Sequence, residues 1–197
     1  MKKIAFVLGN GTSRKPVELS SLKQHGTTYG CNALYREFEP DYLVAVDTKM
    51  ILEINKAGYQ NNHEVWTNRN KAFNKFVNFN FFPTTKGWSS GPTAMHMASD
   101  HDNEEIYILG FDYQGLGQNV NNIYSGTFNY KKTTDKATYF GNWLKQTVTT
   151  IQKFPKKRYI RVIGKNGFVP KEFSKLSNLE HIYVEDFIEI FSNLENR

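Results

Sequence analysis

Short apolar runs alternate with amphipathic stretches along this chain. IAFVL (4–8) is a continuous apolar run closed by glycine, the pattern of a strand buried on both faces. VELSSLKQH (17–25) follows Pro16 and stops at Gly26, which predicts a short helix. TTYGCN (27–32) and YLVAV (42–46) predict two further strands. In TKMILEINKAG (48–58), Met50, Ile51, Ile54 and Ala57 fall near one helical face, and Gly58 ends the element. EVWT (64–67) and KFVNF (75–79) read as short strands.

The second half continues the alternation. PTAMHMASDH (92–101) predicts a helix with Pro92 at its first position. EIYILGFD (105–112) predicts a strand. Residues 113–133 form a long loop rich in Gly, Asn and Tyr. KATYFGNWLKQTVTTIQKF (136–154) is the longest helical stretch, ended by Pro155. RYIRVIG (158–164) and HIYVE (181–185) predict strands, and DFIEIFSNLEN (186–196) a last helix.

This order argues for an α/β fold, a mostly parallel sheet with helices on both faces. One domain over 1–197 is expected, with a loop or small lid at about 113–138. In such sheets ligands bind outside the carboxyl ends of the strands. GNGTS follows the strand 4–8, CN the strand at 27–31, Asp47 the strand 42–46, and FDYQG the strand at 105–110. These polar segments are expected to meet on one edge.

Composition changes the picture little. At 197 residues, with 39% apolar and 15% aromatic content, the chain has material for one full core. No apolar run reaches the roughly 18 residues of a membrane helix. The start, MKKIAFVLGNG, is too short in its apolar run for a leader and reads as the first core strand. Cys31 is the only cysteine, which excludes an internal disulfide and fits a cytoplasmic location. A net charge of +6 points to an acidic partner such as a nucleotide or nucleic acid. The one tight basic group, KFPKKR (153–158), reads as a solvated loop before a strand.

The candidate chemistry is anion binding. Gly9, Asn10, Gly11, Thr12 and Ser13 offer backbone amides and hydroxyls after a strand. The pattern is neither a Walker loop nor a full dinucleotide fingerprint, since the lysine and the third glycine are missing. Ser89, Ser90 and Gly91 precede a helix whose first-turn amides and dipole suit an anion. Asp112, at the end of an apolar strand, suits a ribose hydroxyl, a sugar or a metal ion.

In this order and spacing, GNGTS, GCNALY (30–35), SSGPTAMHMA and EIYILGFDY resemble the family-42 bacterial sialyltransferases over roughly residues 3–115. That resemblance implies a single Rossmann-like nucleotide-binding domain with a lid, a CMP-sugar donor, a glycan acceptor and no required metal. It also implies site residues. Gly9, Asn10, Gly11 and Ser13 would line the nucleotide, and Asn32 would contact base or ribose. Ser89, Ser90 and Gly91 would contact the nucleotide or donor sugar. Tyr113 and Tyr124 are the counterparts of the tyrosines on the leaving phosphate, Tyr124 the better placed.

The chain departs from that family at several points. The family's general base is a histidine after the tyrosine loop, but residues 102–180 contain none. Asp47 stands where the family tends to have Asn. Gly87 stands where it has a phosphate-binding Arg, with Lys86 adjacent, and Thr12 where it has Pro. Asp112 and Asp135 are the substitute bases that the sequence offers. His96, one turn into the helix after SSG, is the histidine nearest the expected site. A second resemblance, to archaeal-type pterin pyrophosphokinases, implies Mg²⁺ and ATP instead, with Asp47 and Asp112 holding a hydrated ion. A third reading is a binder of nucleotide or nucleic acid that lacks the base.

Overall fold

The computed structural model describes residues 3–73 and 75–192. It contains one eight-stranded sheet in the order β5-β4-β3-β2-β1-β6-β7-β8. The strands are β1 (Ile4–Leu8), β2 (Thr27–Cys31), β3 (Tyr42–Val44), β4 (Val65–Thr67), β5 (Asn80–Phe81), β6 (Glu105–Leu109), β7 (Arg158–Ile163) and β8 (Leu179–Tyr183). Every pairing is parallel. The helices are α1 (Thr48–Ala57), α2 (Ser90–Asp100), α3 (Gly141–Lys153) and α4 (Val184–Ser192). The expected α/β, Rossmann-like arrangement is therefore present.

The side-chain alternation of the strands feeds two cores. Phe6 and Leu8 of β1, with Tyr107 and Leu109 of β6, face α1 and α4, where Ile51, Ile54, Phe187 and Phe191 close the layer. Ala5 and Val7, with Ile106 and Ile108, face α2 and α3, where Ala94, Met95, Ala98 and Ile151 close the other. The central strands are apolar at consecutive positions because both their faces are covered. The chain builds outward from β1 to β5, then returns to lay β6 on the other side of β1. The crossing places the topological switch point between β1 and β6, where the ends of two neighbouring strands diverge and leave a crevice.

Several expected elements shift. Residues 17–25 give a 3₁₀ turn over Leu19–Gln24 rather than an α-helix. KFVNF is not a strand: the pairing segment is Asn80–Phe81, and Asn78 just before it takes a left-handed φ of 64°. Helix α2 starts at Ser90, so Pro92 is its third residue. The strand expected over 105–112 ends at Leu109, where Gly110 turns at φ 68°. Helix α3 begins at Gly141, and residues 136–140 belong to the preceding loop. Strand β8 begins at Leu179, and α4 starts at Val184, two residues early. The expected helical residues 193–196 lie outside the described part.

In the basic group 153–158, Lys153 and Lys156 are exposed, whereas Lys157 and Arg158 are committed within the protein. Lys157 donates from Nζ to the carbonyls of His101 and Asn103, both at 2.7 Å, and Arg158 pairs with Glu105 and Glu180. Among the described residues no helix is long and apolar enough to cross a membrane.

Candidate functional site

A cavity of about 300 Å³ opens at the switch point. It gathers the turns after β1, β2, β3 and β6, the first turn of α2, and the 113–138 loop. Gly9, Asn10, Gly11, Asn32, Asp47, Ser89, Ser90, Gly91, Asp112 and Tyr113 all line it. Phe111, Phe140 and Trp143 add apolar surface, and Val120, Asn121 and Asn122 show the loop forming one wall. The volume sits at the lower end of the range of about 300–1,000 Å³ typical of small-ligand pockets.

The wall from β1 and β6 is closed on itself. Gly11 donates from its amide to the Gly110 carbonyl at 2.9 Å, and Gly9 to Leu109 at 2.8 Å. A Cβ at Gly11 would lie 2.4 Å from a carboxylate oxygen of Asp112, so glycine here permits close approach of two turns. Thr12 donates from its amide (2.9 Å) and its hydroxyl (2.7 Å) to the side-chain carbonyl of Asn121. Ser13 donates from amide and hydroxyl to the two oxygens of Asp112, one of which also accepts from Asn121 Nδ2 at 2.9 Å. The amides of Gly9, Gly11, Thr12 and Ser13, which the sequence offered to a phosphate, thus serve the protein itself. Thr12 and Ser13 are not among the lining residues.

Two buried arginines brace this wall. Arg14 donates from Nε to the Gly9 carbonyl at 2.6 Å and from Nη2 to Glu37 at 2.8 Å. Arg161, 2% exposed on β7, donates to the carbonyls of Phe111 (2.8 Å), Asp112 (3.2 Å) and Phe168 (2.9 Å), and lies over the Tyr113 ring. Neither was legible in the sequence, because a buried arginine, whether in the 3₁₀ turn Thr12–Arg14 or on β7, has no local signature. Their burial shows only after folding.

The tyrosines expected at a leaving phosphate are committed elsewhere. Tyr124 is 6% exposed and does not line the cavity; its hydroxyl donates to Glu37 and accepts from Arg14 Nη2 at 3.0 Å. Tyr113 lines the cavity, but its hydroxyl shares a 2.6 Å hydrogen bond with Thr147. It also holds a left-handed φ of 53°, a strained backbone for a bulky residue. Burial pushes both phenols up in pKa.

The opposite wall is different. Asn32 takes a left-handed φ of 54°, and its side-chain Oδ1 is buried without a hydrogen-bond partner among the described residues. A buried acceptor left unpaired is costly, roughly 1–3 kcal/mol. Asp47 occupies the N-cap position of α1 yet makes no capping bond with its side chain. Among the described residues no other partner holds its carboxylate, and desolvation by the surrounding protein raises its pKa above the ordinary 3.8. At α2, Ser90 spends its hydroxyl as acceptor for the Val46 amide (3.0 Å). The amides of Ser90 and Gly91, however, have no partner among the described residues. Cys31 lies between the walls, where burial pushes its thiol up to about 12, so it is no nucleophile near neutral pH.

The other candidates lie away from the cavity. Asp135 accepts from the Lys132 amide at 2.8 Å and stays within its own turn. His96 and Lys86 line a separate groove on the outer side of α2. Among the described residues no cluster of three or more His, Cys, Asp or Glu has metal-holding geometry.

Fold and cavity together define an α/β protein with a polar crevice at the switch point of a parallel sheet. No protein-family model, no curated protein and no solved structure matches the chain.

Proposed function

We propose that the cavity binds a nucleotide or nucleotide-sugar of the CMP type, and that the protein transfers the sugar to an acceptor hydroxyl. The observation that carries the proposal is the orphaned acceptor Oδ1 of Asn32, held in a strained conformation at the switch-point crevice. A ligand donor, such as an exocyclic base amine or a ribose hydroxyl, would satisfy it. The free Ser90 and Gly91 amides suit the phosphate. Phe111, Phe140 and Trp143 suit the apolar faces of base or sugar.

In this reading the acceptor oxygen attacks the anomeric carbon while the bond from that carbon to the phosphate oxygen breaks. The nucleotide phosphate leaves with the bonding pair, and its charge is met at the N-terminus of α2. The acceptor's proton goes to the Asp47 carboxylate, the uncommitted base of the cavity, whose raised pKa suits proton capture. Asp112 is less suited, because Ser13 and Asn121 already occupy its oxygens. Tyr124 is left with a positioning role through Glu37 and Arg14.

Asp47 also favours a second reading, Mg²⁺-dependent phosphoryl transfer, since a free carboxylate suits a hydrated Mg²⁺. Asp112 would have to give up its present partners to join it.

A thermal-shift screen with CMP, CDP, UDP, GDP, ATP and CMP-sialic acid, with and without Mg²⁺, tests the proposal. CMP and CMP-sialic acid are expected to stabilise without metal, by roughly 2.7 kcal/mol at 100 times Kd. A response confined to ATP with Mg²⁺ would transfer the proposal to phosphoryl transfer. No shift with any nucleotide would sink both readings.

A further inference from the structure

Helix α2 packs over β1, β2, β3 and β6, but the sheet runs two strands further, to β4 and β5. On that side the sheet therefore ends in a step beside the helix. A groove of about 360 Å³ lies in the step. Its floor is aromatic: Trp66 of β4 and Phe82 just after β5 meet with ring centroids 5.4 Å apart. Its far wall is Trp88, set edge-to-face against His96 of α2 at 5.6 Å.

Two lysines line the same groove. Lys86 Nζ lies 5.2 Å from the Trp88 ring centroid. Lys153, from the last turn of α3, reaches across to 3.3 Å from His96 Nε2. Neither lysine has a carboxylate within 4.0 Å among the described residues. His96 is 9% exposed; burial first, and then Lys86 and Lys153, lower its pKa to about 4, with Asp100 opposing. Near neutral pH the histidine is therefore uncharged, and Nε2 accepts from the Lys153 ammonium. His101 and Asp100 complete the titratable groups of the groove. Lys86 and Lys153 face the single carboxylate of Asp100, a positive balance over flat apolar surface.

We propose that this groove is a second ligand site, for a planar aromatic ring that carries a phosphate or carboxylate group. The ring lies against Trp66, Phe82 and Trp88, and the anion sits between Lys86 and Lys153. Flat π surface and cations without a carboxylate partner together select for both features of such a ligand, and either alone would select for one. The site shares no lining residue with the switch-point cavity and does not depend on what that cavity binds.

The test titrates phenyl phosphate, benzoate, inorganic phosphate and benzyl alcohol into the intact protein. Binding is followed by tryptophan fluorescence and by the imidazole NMR signals of His96. Phenyl phosphate or benzoate is expected to bind at least tenfold more tightly than inorganic phosphate or benzyl alcohol, and the better of the two identifies the anionic group. Bound anion between the lysines should move the His96 titration upward. The double variant Lys86→Ala/Lys153→Ala should weaken binding at least tenfold, with Trp88→Ala as an independent loss. Trp143→Ala, in the other cavity, and saturating CMP should each leave the affinity within twofold. The proposal is overturned if neither aromatic anion binds, if the double-lysine variant binds as well as the parent, or if CMP displaces the probe.

Discussion

The two walls of the switch-point cavity use their polar groups in opposite ways. On the β1–β6 side, the Gly9, Gly11, Thr12 and Ser13 amides and both oxygens of Asp112 are bonded within the protein. On the β2–α2 side, Asn32 Oδ1, the Asp47 carboxylate and the Ser90 and Gly91 amides are unspent among the described residues. The first wall is framework, and the second carries the capacity to recognise something. A glycine turn after a strand looks like a phosphate cradle in sequence. Here it is the joint by which two neighbouring turns interlock, and the polar groups left without partners among the described residues come from a less conspicuous asparagine and a helix start.

The comparison is open to attack from either wall. The largest effect is expected in the framework. Arg161→Met leaves the carbonyls of Phe111, Asp112 and Phe168 without their donor. Loss of about 3 kcal/mol is expected. That is a fall in Tm of roughly 6–12 °C for a chain of this size. Scanning calorimetry decides it; an unchanged Tm would mean that the framework wall is not a framework.

On the other wall the expected signs diverge between stability and activity. Desolvation raises the pKa of Asp47, so the folded protein holds that proton more tightly than the unfolded chain. The group's contribution to stability is full below the ordinary value of 3.8 and is lost as pH rises through the folded value. The residue is exposed at the surface but its carboxylate is partly desolvated by the protein, so at pH 7 its charge is a small cost. Asp47→Asn should therefore raise the Tm of the free protein slightly while lowering the proposed sugar transfer by about 100-fold, as removal of a general base does. A variant as active as the parent would remove Asp47 from the chemistry.

The smallest expected effect sharpens the contrast most. Asn32→Gly removes the orphaned oxygen and suits the left-handed φ, so the Tm should hold or rise. CMP affinity should fall about tenfold, the worth of one buried polar contact of roughly 1.4 kcal/mol. Calorimetric titration that finds CMP affinity unchanged would show that the ligand does not use this wall.

Much of this was legible before folding. The alternation of apolar runs with helical stretches placed seven of the eight strands close to their positions, and a parallel sheet follows from that alternation. The eighth, β5, was placed too early in KFVNF, because a two-residue edge strand carries too little pattern to be located. The turns at Gly9–Gly11, Asn32, Asp47 and Asp112 were expected on one edge, and they line one cavity. Tyr124 was misplaced because sequence position fixes which loop a side chain belongs to, but not which way it faces.

The sequence by itself determined the elements, their order and the edge on which the polar turns collect. Those follow from local periodicity and from the geometry of parallel crossovers, which sends every strand's carboxyl end the same way. Tertiary structure alone decided which polar groups remain free. That choice depends on partners about a hundred residues away, Asn121 for Thr12 and Asp112 for Ser13, and on arginines whose burial has no trace in their own neighbourhood. A hydrogen bond consumes a donor wherever its acceptor lies in the chain, so the distinction between a binding wall and a structural one exists only once the chain has folded.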